Sequence, residues 1–515
     1  MTPDDLISAI LRAPVDLLWN GGIGTYVRAT SETDAQVGDR ANDPVRVTAK
    51  EVRAKAAGEG GNLGWTQAGR IEYARNGGRI NTDFIDNSAG VDTSDHEVNI
   101  KILLDAEVAA GRISEQERDK LLPTMADDVA SLVLRHNHSQ NLALANALSS
   151  DGPTAGVLEA WMCELEESGH LDRAVDTMPS TTEMNRRMAA GERLASPELC
   201  TLLAWTKIAL CDAVLATDLP EDPFVADRLV GYFPPLLRER FAERMPTHRL
   251  HREIITTEAV NRFVDSQGIT AYYRLHLQTG ADIAQVIRCQ LAARSVFGLG
   301  RVETDLTHLG LDAVRTAKIR LALTDLAMHA TRWFLNHGGA DDIAGTIETY
   351  RPGVATLVEK LSERLLGDSA DAWQEKVDEV TELGLDRSDA AVVAAYDWSP
   401  VLLSIVEISE EGHPLDEVAD AYLTLARRVD MIRLTRLVEQ LPQDRPTDAR
   451  VRASLREDLL RVMSDATRRA LVIGTDNVLA DGGRIVKSIA ANPDLAHCVV
   501  MVSDLRSAVG QEVTL

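Results

Sequence analysis

The chain of 515 residues carries 54 basic and 79 acidic side chains, a formal charge of −25. A polyanion of this kind repels phosphate backbones and anionic lipid surfaces, so neither nucleic acid nor a membrane is expected as a partner. Hydrophobic content of 45% suits a globular protein, the length predicts more than one domain, and no apolar run is long enough to span a bilayer.

Thr2-Pro3-Asp4-Asp5 reads as a helix start: a capping hydroxyl, a first-turn proline and two acids at the positive end of the dipole. These early acids stand where a signal peptide would carry a basic region. Leu6, Ile7, Ile10 and Leu11 then share one apolar face, and Pro14 stops the helix. Val15 to Trp19 follows as a short strand closed by Asn20-Gly21-Gly22. Helix, strand and glycine turn are the rhythm of a doubly wound α/β sheet. Residues 28–46 are polar and predict a surface loop, and order resumes over 47–57.

Two polar, glycine-punctuated turns come next, Gly58–Gly64 and Asp86–Ser94. A helix over Thr66–Asn76, stopped by Gly77-Gly78, and a strand over Ile80–Ile85 are predicted between them. Such turns bring backbone close to a ligand, because glycine has no Cβ and tolerates positive φ. From Glu97 onward the pattern is helical. Met125, Val129, Leu132 and Val133 form one stripe, Leu202, Leu203, Ile208 and Leu210 follow the cap Ser196-Pro197-Glu198, and Leu434, Leu437, Val438 and Leu441 repeat the spacing. Linkers are expected at 149–154, 218–223, 338–342 and 440–446; the β-like run Cys498–Val502 is too isolated to assign. Two strands do not make an independently stable sheet. The expectation is therefore the C-terminal part of a longer polypeptide, or a sheet completed by a partner.

Motifs with chemistry are few. Gly22-Ile23-Gly24-Thr25-Tyr26-Val27 and Gly58–Gly64 resemble dinucleotide fingerprints, but each taken alone is better read as a tight turn. Arg135-His136-Asn137-His138 spells a nuclease-like string inside a helical pattern, where surface or packed histidines are the expectation. His248 and His251 have no third partner of metal-ligand spacing and are read as structural, so no metal is expected. The cysteines Cys163, Cys200, Cys211, Cys289 and Cys498 are scattered, the pattern of inert thiols in a reducing, cytoplasmic setting.

Three segments carry a resemblance: Asp16–Val27 (DLLWNGGIGTYV), Gly58-Glu59-Gly60-Gly61-Asn62, and Asp86–Asn99 (DNSAGVDTSDHEVN). In order and spacing they resemble the large NAD-specific glutamate dehydrogenases of bacteria. Ala195–Cys200 and His248–Ile255 look like helical landmarks of the same family. The resemblance implies the tail half of a Rossmann-like domain over residues 1–100, helices packing back on it over 101–195, and a C-terminal helical domain over 196–515. It implies NAD as cofactor, with Asn20, Gly21, Gly22, Gly60, Gly61, Asn62 and Asn87 beside it. It implies L-glutamate and 2-oxoglutarate as substrate and product, with Gly90 and Val91 forming a wall and Ser94 bonding a glutamate carboxylate. Ala89 departs from the first glycine of the corresponding pair in the smaller glutamate dehydrogenases. The acid–base lysine and aspartate of the family are expected upstream, so no catalytic residue is assigned in this chain. The complete enzyme is expected to be a homo-oligomer, a tetramer by resemblance. The rival readings are a non-enzymatic helical assembly or regulatory module, and a dehydrogenase of another amino acid.

Overall fold

The computed structural model describes residues 2–149, 154–311, 313–441, 446–480 and 494–510. The chain forms two compact units, Met1–Thr270 and Ala271–Leu515. It is mostly helical, and the described residues hold four short strands: β1 (Leu17–Asn20), β2 (Val27–Arg28), β3 (Val47–Thr48) and β4 (Ala56–Glu59).

In the first unit, helix α1 (Pro3–Leu11) starts as its sequence dictates. The Thr2 hydroxyl accepts from the Asp5 amide, and the Asp5 carboxylate accepts from the Thr2 amide. Its apolar face is not buried, however, and Leu6, Ile7 and Ile10 remain exposed. β1 pairs in parallel with β4, Leu17 opposite Ala56 and Asn20 opposite Glu59, and β2 pairs in parallel with β3. Val27, Val47, Ala57, Trp65, Tyr73 and Ile80 close one apolar core around these pairs. Helix α2 (Gln67–Arg75) is capped by the Thr66 hydroxyl, which accepts from the Gly69 amide, and Gly77 follows it at a φ of 94°.

Three expectations for this unit need correction. Residues 28–46 are not a simple surface loop. Ala29, Val45 and Arg46 are buried, and Arg46 binds the carboxylates of Asp34 and Asp43. Ile80–Ile85 is not a strand. Only Arg79 bridges to Ala56, and a one-turn helix, α3, occupies Asp83–Asp86. The Asp86–Ser94 stretch is not a turn either, because Ser88 opens the long helix α4 (Ser88–Ala109). The carboxylate of Asp86, which suggested a turn, and that of Asp83 before it are used at long range instead. Asp83 accepts from the Leu63 amide and Asp86 from the Glu59 amide, which leaves the local backbone free to wind.

Helix α5 (Ala126–Leu148) follows, and the stripe of Met125, Val129, Leu132 and Val133 is buried as its spacing predicts. Helix α6 (Ser196–Leu215) begins with Glu198 accepting from the Ala195 amide, while the Ser196 hydroxyl donates to Asn81. Leu202, Leu203 and Leu210 are buried there, but Ile208 is exposed. Helix α7 (His251–Gln267) completes this set.

The second unit is helical throughout its described residues. Helix α8 (Ala313–Asn336) brings Trp333 to donate its indole N–H to Ser404 on α9 (Ser399–Ser409), a helix whose Leu402, Leu403, Ile405 and Ile408 are buried. Helices α10 (Leu415–Arg428) and α11 (Pro446–Ile473) pack beside it. Leu434, Leu437, Val438 and Leu441 are buried. The unassigned run Cys498–Val502 lies in helix α12 (Leu495–Gly510), with Cys498, Met501 and Val502 inward. Of the expected linkers, 150–153 and 442–445 lie outside the described residues, whereas Leu219 and Pro220 of 218–223 are buried in a short turn. The cysteines are all free. No single helix among the described residues is long and apolar enough to cross a membrane.

Candidate functional site

Parallel pairing sets the geometry of the first unit's polar centre. Because Asn20 stands opposite Glu59, the loops after β1 and β4 leave from the same edge. The Asn20 carbonyl accepts from the amides of Gly60 and Gly61, at 2.8 and 3.3 Å, so the two glycine loops touch. Close approach explains the glycines: a Cβ on Gly61 would lie 2.7 Å from the Gly22 carbonyl oxygen, and one on Gly64 would lie 1.7 Å from Asn20 Nδ2. That Nδ2 is buried and has no hydrogen-bond partner in the structure. A buried donor left unpaired is costly.

Asn62 joins this edge to the start of α4. Asn87 Nδ2 donates to Asn62 Oδ1 at 2.8 Å. Asn137 of α5 fixes the same corner, donating to the Ile85 carbonyl and to the Ser88 hydroxyl. Gly90 lies in the first turn of α4, where a Cβ would press on Asn87 Oδ1 at 3.0 Å. Val91 is exposed beside it. The Gly90 amide donates to the Asn87 carbonyl at 3.0 Å, and the positive end of the helix dipole in this first turn favours an anionic group. Ser94 is exposed, and its hydroxyl is engaged locally, donating to the carbonyls of Val91 and Gly90 at 2.8 and 3.1 Å. The structure thus brings Asn20, Gly22, Gly60, Gly61, Asn62, Asn87 and Gly90 to one polar corner, with Gly21 in the same loop. Ser94 lies one turn further along α4.

Beneath the corner is a charge network that sequence reasoning missed. Arg70 grips Glu59 with two hydrogen bonds, at 2.7 and 2.9 Å, and approaches Asp83 at 3.3 Å. Glu59 also accepts from the Trp65 amide at 3.1 Å. Burial raises the Glu59 pKa against the opposing pull of Arg70, and burial raises that of Asp86. The two residues hold both ends of the Gly60–Gly64 turn. Glu59 did stand in a quoted motif, but its partner Arg70 looks like an ordinary helix surface residue in the sequence.

A second cluster lies two turns along α4. His136 of α5, from the nuclease-like string, is 2.8 Å from Asp92, which also faces His96 at 3.6 Å. Glu258 of α7 lies 3.7 Å from the other nitrogen of His136. Burial pulls His136 down, but the Asp92 hydrogen bond and the charges of Glu258 and Asp92 outweigh it, and its pKa is raised. His138 is exposed. His248 and His251 are structural, as expected: His248 Nε2 meets the Asn99 carbonyl at 3.1 Å, and His251 Nδ1 meets the His248 carbonyl at 2.9 Å.

The first unit therefore has a strand-edge site made of glycine loops and neutral amides against a helix N-terminus, an arrangement that suits a cofactor carboxamide and a small acid. Residues 1–147 match the family model for the catalytic domain of bacterial NAD-glutamate dehydrogenase, and residues 191–512 match the model for the C-terminal region of glutamate dehydrogenase. The chain belongs to this glutamate dehydrogenase family. It is 41% identical over 476 residues to the NAD-specific glutamate dehydrogenase of Mycobacterium tuberculosis, covering 92% of this chain and 29% of that protein. It is 38% identical over 527 residues to the NAD-specific glutamate dehydrogenase of Pseudomonas aeruginosa, covering 100% of this chain and 32% of the relative. The Halomonas elongata protein of the same name is 37% identical over 481 residues, covering 92% of this chain and 30% of the relative. The chain thus spans about a third of the length of the curated relatives it matches.

Proposed function

We propose that this chain is part of an NAD-dependent enzyme that oxidatively deaminates L-glutamate to 2-oxoglutarate and ammonia. The observation that carries the reading is the Asn62–Asn87 hydrogen bond, because it unites the strand-edge glycine loops with the first turn of α4. The parallel β1–β4 pair is then the tail half of a Rossmann-like sheet, whose strand-end loops receive the dinucleotide. NAD, when bound, accepts the hydride from the substrate α-carbon. Asn20, Gly21, Gly22, Gly60, Gly61, Asn62 and Asn87 line its nicotinamide end, and the unpaired Asn20 Nδ2 offers a donor for it.

Gly90 and Val91 separate cofactor from substrate, and Ser94 orients a glutamate carboxylate without adding a buried charge. The Ser94 hydroxyl must turn away from the Val91 carbonyl to do so. The groups that carry protons in the reaction are assigned to other parts of the longer protein. By function, residues 1–100 serve the cofactor, 101–195 pack back on that region, and 196–515 form the helical domain of a cytoplasmic homo-oligomer.

The test is NADH formation from glutamate by this chain, alongside a longer protein that contains it. Activity in the longer protein alone supports the proposal. Activity in this chain by itself would place an acid–base pair within it, and activity in neither would overturn the reading. Ser94→Ala in the longer protein is expected to raise the glutamate KM, since a hydrogen bond to a charged group contributes about 1.5–3 kcal/mol. An unchanged KM removes Ser94 from the site.

A further inference from the structure

The cluster on α4, α5 and α7 does not belong to the cofactor corner and has a chemistry of its own. Asp92 and His96 are four residues apart on α4 and so lie on one face of the helix. His136 reaches them from α5. One donor atom from each of the three lies within 4.8 Å of the other two. His96 is fully buried, stacked on the Tyr232 ring at 4.2 Å, and neither of its ring nitrogens has a hydrogen-bond partner in the structure. A buried imidazole with both nitrogens idle is costly, since its polar atoms have lost water and gained nothing. Its Nε2 faces Asp92.

We propose that Asp92, His96 and His136 bind one divalent transition-metal ion, with Glu258 orienting His136 from outside. Two imidazole nitrogens and one carboxylate are a donor set for zinc and its first-row neighbours, not for calcium or magnesium, which prefer all-oxygen sites. His136 Nδ1 faces Asp92 while Nε2 faces Glu258. That is the arrangement in which an outer carboxylate fixes the tautomer and orientation of a ligating histidine. The ion takes the place of the proton shared by Asp92 and His136, and it engages the idle Nε2 of His96. Partial exposure of the Asp92 and His136 side chains, 24% and 23%, gives the ion a way in and leaves a position open to water. Bound there, it ties α4 to α5.

The test uses the full chain, stripped with chelator and titrated with Co2+ as a spectroscopic substitute for Zn2+, with Mg2+ as the control ion. The expected result is one Co2+ per chain after dialysis, with visible ligand-field absorption and a raised melting temperature, neither produced by Mg2+. His96→Gln and His136→Gln are each expected to abolish the absorption, and His138→Gln to leave it intact. Glu258→Gln should weaken binding about 10–100-fold. Should His96→Gln fail to fold, Asp92→Asn and His136→Gln, at partly exposed positions, decide the matter. Absence of Co2+ from the dialysed wild-type chain overturns the proposal. So does a spectrum that survives His136→Gln and Asp92→Asn, as binding at other surface histidines would give.

Discussion

His96 in the first unit and His337 in the second are alike in shape and opposite in charge. His96 is buried and His337 half-buried, and both stack on an aromatic ring, His96 on Tyr232 at 4.2 Å and His337 on Trp333 at 4.1 Å. Burial pulls each imidazole toward its neutral form. At His96 burial wins over the single carboxylate, Asp92, and the pKa falls to about 4. At His337 burial is outweighed by Glu407 at 2.9 Å and Glu457 at 3.3 Å, one on each ring nitrogen, and the pKa rises to about 9. Packing and stacking therefore do not decide protonation; carboxylates within hydrogen-bond reach do. At neutral pH the first imidazole offers a lone pair, and the second holds a cation between two acids.

The largest expected effect comes from making the second site resemble the first. Glu407→Gln combined with Glu457→Gln should drop the His337 pKa from about 9 to below the ordinary 6.5, as read from the imidazole proton shifts in an NMR titration. A value that stays near 9 would break the comparison. Next comes the stability the wild-type pair confers. Because the folded pKa is raised, that stability is complete below pH 6.5 and is lost as the pH rises through about 9. The loss is at most about 3 kcal/mol. Hydrogen exchange of the Ala330–Phe334 amides at pH 6 and pH 10, corrected for intrinsic rates, should show it in the wild type and not in His337→Gln. The smallest effect is at the first site. Tyr232→Phe keeps the ring over His96 and loses only the bond from Asn99 Nδ2, 2.9 Å long. Denaturation should then shift by about 1 kcal/mol, with Co2+ binding unchanged. A larger shift would mean that the phenol, not the ring, holds His96 in place.

Much of the helical body was legible in the sequence because its determinants are local. Thr2, the cap at Ser196-Pro197-Glu198 and the Met125–Val133 stripe each need only near neighbours to declare a cap or a face. The pattern at Leu6, Ile7 and Ile10 marked a shared face correctly, yet periodicity says nothing of whether another element covers it. The Asp86–Ser94 stretch was misread for a physical reason. Small polar residues favour turns when their side chains bond their own backbone. Here Asp83 and Asp86 are drawn to the amides of Leu63 and Glu59, 20 and 27 residues away. The four-residue spacing of Asp92 and His96 has meaning only on a helix, and a turn over Asp86–Ser94 hides it. His136 was placed on a helix correctly, but its partner Asp92 stands 44 residues away in the chain. The candidate cofactor corner was legible through its glycines, whose absent side chains leave room for Asn20 and for the Gly22 backbone. The Arg70–Glu59 pair that holds it was not, because nothing in the sequence marks a buried arginine.

Helix α4 runs unbroken for 22 residues, with no proline and no glycine after Gly90. At 1.5 Å per residue it is a strut about 33 Å long. Its first turn bears the amide corner, its second and third the acid–imidazole cluster, and its later turns are rooted in the core through Ile100, Leu103 and Leu104. Asn87 at its start and Leu104 in the core thus lie on one continuous helical axis, which anchors the corner in the packed interior.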